Sequence, residues 1–161
     1  MPHLENPLES PCFGCGPRHA RGLRLAFDRQ TAEDGVEEIV CEYTPKPDEI
    51  GWPGLLHTGL LFLITMETSY WTALTLAGRV HTMSGPATYE PLRLPRVGKP
   101  FRSKARLAGH AGELLRIMCV AEDATGRPHA TLASTWRRAS RAAAEKAGLV
   151  LPGYLLEDMD P

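Results

Sequence analysis

The chain has 161 residues, of which 43% are hydrophobic and 23% are charged. This composition fits one globular domain and excludes a disordered tail or a fibrous protein. The formal net charge of -1 gives no overall attraction to nucleic acid or to an anionic membrane. No secretory signal is recognisable, and the longest apolar run, Leu55–Ile64, is too short to span a membrane. We therefore expect a cytoplasmic protein with neither a nucleic-acid nor a membrane partner.

Residues 1–20 are rich in proline, glycine and cysteine and show no periodicity, so they are predicted to form an irregular N-terminal arm. Within this arm, Cys12 and Cys15 form a Cys-x-x-Cys pair, and the nearest histidine is His19. A zinc site would have to take further ligands from elsewhere, because one pair is too few. The simplest interpretation is a tight, glycine-rich turn, with a metal site and a redox pair as alternatives.

The next segments predict a β-hairpin followed by a loop. Gly22–Asp28 alternates leucine and phenylalanine with other residues, as a half-buried strand does, and Val36–Tyr43 is the returning strand. Residues 44–54 contain three prolines and two glycines and are predicted to be loop. Cys41 is interpreted as a small buried residue of the second strand, as is Cys119 further along the chain.

A long helix is predicted from Leu56 to about Ala77, and it is apolar on nearly every side. A helix of this kind is enclosed by other elements rather than lying on a surface. Glu67 is the one acid within its apolar middle, and acids are seldom buried without a partner. This position therefore indicates some specific role for the Glu67 carboxylate.

Four strand-like runs follow the helix, each ended by glycine, proline or aspartate: residues 80–94, 101–110, 114–123 and 129–138. The last three are predicted to form a meander, because their connections are too short for crossovers. A short helix is predicted at 140–148, within a C-terminal tail at 139–161 that is expected to be loosely held beyond Leu149. The order of elements predicts an α+β fold in which one curved antiparallel sheet wraps around one long central helix.

Four stretches together resemble the PaaI-like acyl-CoA thioesterases of the hotdog-fold superfamily. CFGCGPRHARGLRL resembles their C-F-x-C-G-P-x-N-P-x-G-L-x-L stretch, with His19 and Ala20 in place of Asn-Pro. GWPGLLHTGLLFLITMETS resembles the start of their central helix, PLRLPRVGKPFRSKARL a following strand turn, and ATGRPHATLASTWRR the closing strand. The match covers roughly residues 12–138 and depends on the order and spacing of the four stretches.

The resemblance implies a single hotdog domain over residues 1–161 that forms a homodimer by edge-to-edge pairing of two sheets, or a tetramer of two such dimers. It also implies an active site at the dimer interface, a coenzyme A thioester as substrate, no cofactor apart from the coenzyme A of that substrate, and no metal. The expected reaction is hydrolysis of the thioester to a free acid and CoA.

The start of the helix is the expected oxyanion site. His57, Thr58 and Gly59 open the helix, where unpaired backbone N–H groups and the helix dipole favour negative charge. In the resembled family, an N–H of a His-Gly-Gly turn polarises the thioester carbonyl. Thr58 replaces the first of those glycines; it keeps the N–H but adds side-chain bulk. A histidine at this position is also open to a simpler interpretation, as a helix cap.

The expected carboxylate is displaced by one residue. The catalytic aspartate of the resembled family corresponds to Met66, and Glu67 follows it. One residue along a helix is a rotation of about 100°. Glu67 is therefore a candidate to activate water or to attack the carbonyl, and the alternatives are a buried acid held by hydrogen bonds or an acid at the dimer seam. If the carboxylate is lost, the protein is a non-catalytic hotdog module that binds an acyl thioester or only dimerises.

Further site residues are expected on the strands after the helix. Ser84 stands where some members place a hydroxyl that holds the attacking water, with Thr82 or Thr88 as alternatives, and Glu90 is expected to face solvent. An apolar channel beside Leu60, Leu61 and Trp71 is expected to take the acyl group.

Residues 91–112 contain no acid, and their cations are candidates for the CoA phosphates. Arg102, Lys104 and Arg106 alternate along one strand and therefore share one face of it. The simpler interpretation is a solvated outer sheet face or a charged edge. The residues assigned to CoA binding are Arg93, Arg96, Arg102 and Lys104.

Overall fold

The computed structural model describes residues 3–6, 10–77, 81–83, 86–112, 114–138 and 140–146. In these segments the chain forms two helices, α1 (Thr58–Ala77) and α2 (Arg141–Lys146). The strands are β1 (His3–Leu4), β2 (Phe27–Thr31), β3 (Glu37–Tyr43), β4 (Ile50–Trp52), β5 (Leu55–Leu56), β6 (His81–Met83), β7 (Thr88–Pro91), β8 (Phe101–Ala111), β9 (Leu114–Glu122) and β10 (Pro128–Arg138).

The main sheet is antiparallel and packs against α1. Its order is β1-β2-β3-β8-β9-β10-β6, and β7 also pairs with β10. Helix α1 packs across β3, β8, β9 and β10. Fully buried leucine and isoleucine side chains of α1 meet those of the sheet, and the Trp71 ring stacks on Phe27 with ring centroids 5.1 Å apart. The prediction of one antiparallel sheet around one long helix is confirmed.

The meander is also as predicted. Strands β8, β9 and β10 are neighbours, each paired antiparallel with the next. Burial alternates along β8, so that Phe101, Ser103 and Ala105 face the core while Arg102 and Arg106 are exposed. The predicted strand at 80–94 is instead two strands, β6 and β7, because both pair with different parts of β10.

The predicted strand Gly22–Asp28 is wrong in its first half. The ladder begins only at Phe27 and continues to Thr31. Leu23 and Leu25 are nevertheless buried, but between them Arg24 has a φ of 54°, which no strand residue adopts. The alternation of apolar residues therefore predicted burial correctly and the backbone wrongly.

The predicted loop at 44–54 contains a small hairpin. Strands β4 and β5 pair across a turn at Pro53 and Gly54, and Gly54 takes a φ of 73°, which favours glycine. The hairpin leads directly into α1, so it fixes the position from which the helix begins. Helix α2 confirms the short C-terminal helix, whereas the tail from residue 147 lies outside the described residues.

Buried hydroxyls connect α1 to the sheet. Thr68 Oγ1 lies 2.8 Å from Ser103 Oγ, which in turn lies 3.2 Å from Cys119 Sγ. All three side chains are fully buried. Cys41 and Cys119 are both buried free thiols, as expected.

We expect Thr68→Val to lower the free energy of unfolding by about 1–2 kcal/mol, because Ser103 Oγ would lose a partner in a place that water does not reach. Thr75→Val, the same change at a half-buried position of the same helix, should change it by less than about 0.5 kcal/mol. Denaturant unfolding at equal protein concentration measures both. Equal effects of the two variants would contradict a structural role for this hydroxyl chain.

No helix in the described part of the chain is long and apolar enough to cross a membrane.

Candidate functional site

One face of α1 is not covered by the sheet. It opens onto a groove of about 600 Å³ that is mostly apolar. The helix residues that line it lie three or four positions from one another, so they form a single stripe along the helix. The lining residues are Gly59, Phe62, Leu63, Met66, Glu67 and Tyr70 of α1, with Trp136 of β10.

None of the three residues expected beside the acyl channel, Leu60, Leu61 and Trp71, lines this groove. Leu61 is fully buried and Trp71 is 6% exposed, stacked against Phe27 in the core. The sheet covers that side of the helix, and the open apolar surface lies on the side that carries Phe62 and Met66.

Hydrogen bonds of Glu49 and His57 fix the start of α1. The carbonyl of Glu49 accepts the His57 N–H at 2.8 Å, and the Glu49 carboxylate accepts hydrogen bonds from Tyr43 Oη and the Lys46 N–H. His57 Nδ1 accepts the Gly59 N–H at 3.0 Å. His57 is thus the helix N-cap, the simpler of the two interpretations.

This cap decides which N–H can serve an oxyanion. The Gly59 N–H is occupied by His57 Nδ1. Within the described part of the chain, no hydrogen bond uses the Thr58 N–H, and Thr58 is exposed. Of the two candidates in the sequence, Thr58 is the one whose N–H is available.

Glu67 contacts the N-terminal arm, which the sequence did not predict. Its Oε1 accepts a hydrogen bond from Cys12 Sγ at 3.2 Å, while its Oε2 is buried and has no hydrogen-bond partner among the residues that the structure describes. Gly14 packs so closely on the carboxyl group that a Cβ there would lie 2.6 Å from Glu67 Cγ. Burial, then the neighbouring Cys12, raises the pKa of Glu67 to about 7. Glu67 is a half-buried acid whose Oε1 is held by a hydrogen bond, and its partner is a thiol.

The two cysteines of the arm differ in their surroundings. Hydrogen bonds from the side chain and the backbone of Cys15 lower the pKa of the Cys12 thiol to about 5. The hydrogen bond with Cys12, and then burial, raise the pKa of Cys15. Cys12 is therefore the thiol that ionises more readily. The sequence signals were an unassigned Cys-x-x-Cys and a lone buried acid, 55 positions apart along the chain.

Arg93 and Arg96 lie at a second cavity, of about 610 Å³, next to the start of the helix. Its lining includes four cations and one acid: Arg93, Arg96, Lys99, Arg127 and Asp123. Arg93 pairs with Asp123 at 2.6 Å, whereas no ion pair involves Arg96, Lys99 or Arg127 among the residues that the structure describes. Two backbone hydrogen bonds join the loop that contains Arg96 to the segment just before α1. The Leu56 N–H donates to Pro95 O, and the Val97 N–H donates to Gly54 O.

Arg102 and Lys104 lie elsewhere, on the outer face of the sheet. Arg102 pairs with Glu42 of β3 at 3.1 Å, and Lys104 pairs with Glu122 of β9 at 2.5 Å. Arg106 of the same stripe pairs with Asp34. Their charges are balanced by acids of neighbouring segments, which agrees with the simpler interpretation of this stripe as a solvated sheet face.

The candidate site residues on the strands after α1 are only partly described by the structure. Ser84 lies outside the described residues, and so does the side chain of Thr82. Thr88 is exposed, and Glu90 faces solvent as expected.

No protein-family model matches the sequence, and no curated protein matches it. Solved structures do match. A thioesterase superfamily protein gives a TM-score of 0.67 at 16% identity, over 79% of this chain and 60% of that one. A hypothetical thioesterase of Streptococcus pneumoniae TIGR4, solved with coenzyme A, gives 0.59 at 14% identity, over 70% and 87% of the two chains. The E. coli PaaI protein of the phenylacetic acid degradation operon gives 0.59 at 16% identity, over 64% and 73%.

The chain thus spans less than two thirds of the length of the first of these structures. At these identities the similarity is one of fold. The sheet order and the central helix, together with these matches, show that the chain has the hotdog fold seen in thioesterase-superfamily structures.

Proposed function

We propose that this protein hydrolyses acyl-CoA thioesters. The observation that supports this best is the groove along α1, because Glu67 stands in its wall and the start of the helix opens onto it. The Thr58 N–H would hold the oxyanion, and Glu67 would take a proton from the attacking water. The tetrahedral intermediate then expels the CoA thiolate, which takes up that proton. The apolar groove would hold the acyl group.

The site requires two copies of the chain. Thr58 and Glu67 are nine residues apart on one helix, which is about 13.5 Å at 1.5 Å per residue. A single carbonyl needs both its oxyanion donor and its water-activating group within hydrogen-bond distance. One chain cannot supply both, so we propose a homodimer in which the start of one helix lies near Glu67 of the other. A tetramer of two such dimers stays a prediction.

The cavity at Arg96 suits the nucleotide end of coenzyme A. Arg96, Lys99 and Arg127 offer charge that no described acid pairs with. The cavity adjoins the residues just before α1, so a flexible pantetheine arm can extend from it toward a helix start. Arg102 and Lys104 are poorer candidates, because each is already paired.

We expect Arg96→Ala to raise the KM for acyl-CoA about 10-fold, which is the loss of one charge-assisted hydrogen bond. The KM for the matching acyl-pantetheine, which lacks the nucleotide, should not change. Arg102→Ala is the matched control and should leave both values as they are. Equal loss with both substrates would show that Arg96 does not bind the nucleotide.

The surroundings of the Glu67 carboxylate favour a second candidate function. Cys12 occupies its Oε1, its Oε2 is buried, and Met66 stands at the position of the expected aspartate. These observations suit a protein that binds acyl thioesters without hydrolysing them.

One experiment separates the two functions. The full chain is incubated with short, long and aromatic acyl-CoAs, and released CoA is quantified by chromatography while binding of CoA is measured by calorimetry. Release well above the uncatalysed rate supports hydrolysis. Binding without release supports the non-catalytic function, and the absence of both rules out the two proposals together.

A further inference from the structure

The N-terminal arm brings three potential metal ligands together. Cys12 Sγ, Cys15 Sγ and a carboxylate oxygen of Glu67 all lie within 4.8 Å of one another. We propose that these residues form a site for a divalent metal ion of the zinc class, with two thiolates and one carboxylate as ligands. Glu67 is the ligand from elsewhere in the chain that the isolated Cys-x-x-Cys requires. The site departs from the metal-free chemistry that the sequence resemblance implies.

Hydrogen bonds hold the Cys-x-x-Cys turn of the arm in a conformation that suits a metal site. The Gly16 N–H donates to Cys12 O at 2.9 Å, and the Cys15 N–H points at Cys12 Sγ, 3.4 Å away. A backbone N–H directed at sulfur stabilises the thiolate, which is the form that binds metal. The turn is also tied to the domain, since Phe13 O and Gly14 O accept the N–H groups of Leu23 and Leu25.

Glu67 has an unsatisfied oxygen at this place. Its Oε2 is buried with no hydrogen-bond partner among the described residues. A buried polar oxygen without a partner costs about 1–3 kcal/mol. A cation between the carboxylate and the two sulfurs would satisfy that oxygen and would balance the charge of the thiolates.

The ligand types select the metal. Thiolates favour zinc and similar soft or borderline ions, whereas calcium and magnesium prefer oxygen alone. Zinc bonds of about 2.3 Å to sulfur and about 2.1 Å to oxygen place tetrahedral ligands roughly 3.5–3.8 Å apart. Cys12 Sγ already lies 3.2 Å from Glu67 Oε1, and a rotation of the carboxyl group would bring Oε2 to the position of the ligand oxygen. The three ligand atoms lie within 4.8 Å of one another, so a bound ion would draw them closer by about 1 Å at most. Three protein ligands leave a fourth position for water.

The test measures metal binding in the absence of any substrate. The reduced full chain is stripped with a chelator, dialysed and titrated with Co²⁺ and then Zn²⁺, while the sulfur-to-cobalt charge-transfer absorption is recorded. We expect one Co²⁺ per chain with this absorption, and its displacement by Zn²⁺. Absence of the absorption in wild type, or oxidation of the two thiols to a disulfide as their only reaction, would overturn the proposal.

Variants assign the ligands. Cys12→Ser and Cys15→Ser should each weaken metal binding by at least about 100-fold, and Glu67→Gln by at least about 10-fold. Cys119→Ala is the matched control, because it removes a thiol from the core and should leave the affinity unchanged. Unchanged affinity in Cys12→Ser with folding preserved by circular dichroism would refute the site. A bound ion would compete with the hydrolytic role of Glu67, but no arm of this test depends on hydrolysis.

Discussion

Glu67→Gln is expected to lower kcat/KM for acyl-CoA hydrolysis by at least about 100-fold, since a positioned general base contributes 10²–10⁴-fold. Glutamine keeps the size of the side chain and can still accept the Cys12 hydrogen bond, but it cannot take a proton from water. Glu90→Gln is the matched control, because it makes the same change at an exposed acid of β7 and should leave the rate unchanged. All rates are measured with a chelator present, so that metal binding to Glu67 does not contribute.

Met66→Asp completes this experiment. It places a carboxylate at the position of the expected aspartate, in the wall of the groove. If Glu67 is the working base, Met66→Asp should not restore the activity of Glu67→Gln to more than a small fraction. If wild type is inactive and Met66→Asp alone hydrolyses acyl-CoA, the native protein is a thioester-binding protein and the hydrolytic proposal is wrong.

Gly14→Ala is expected to lower the free energy of unfolding by about 1–3 kcal/mol, the usual cost of forcing a methyl group into a filled space. The added Cβ would lie 2.6 Å from Cγ and 2.7 Å from Cδ of Glu67, distances that require the arm or the helix side chain to move. The measurement is denaturant unfolding at fixed protein concentration.

A double-mutant cycle gives the control for this prediction. Glu67→Ala removes the atoms that the new methyl group would strike, so Gly14→Ala should cost much less in that background. A penalty of the same size with and without the Glu67 side chain would show that the strain has another source. It would also remove the argument that the arm is fitted to this acid.

The amino-acid sequence by itself determined the elements that depend on neighbouring residues. The mostly apolar stretch before Gly78, which contains no proline or other helix breaker after Gly59, specified α1 almost to its ends, because helix formation depends on residues within a few positions. The short turns after β8 and β9 specified the meander, because short connections allow only antiparallel neighbours. The alternation of Arg102 and Lys104 with core residues likewise placed these cations on the outer face.

Only the tertiary structure decided which distant residues meet. The alternation of Leu23 and Leu25 could not reveal the left-handed backbone at Arg24, because burial is imposed by packing and not by the ladder. The sequence also could not show which side of a helix that is apolar on nearly every side stays open, because the packing of the sheet against the helix determines that side. The contact of Cys12 with Glu67 has the same origin: a turn of small residues and a lone acid become neighbours only after the arm folds onto the helix. Local patterns fix elements, whereas a site assembled from separated segments depends on how those elements pack.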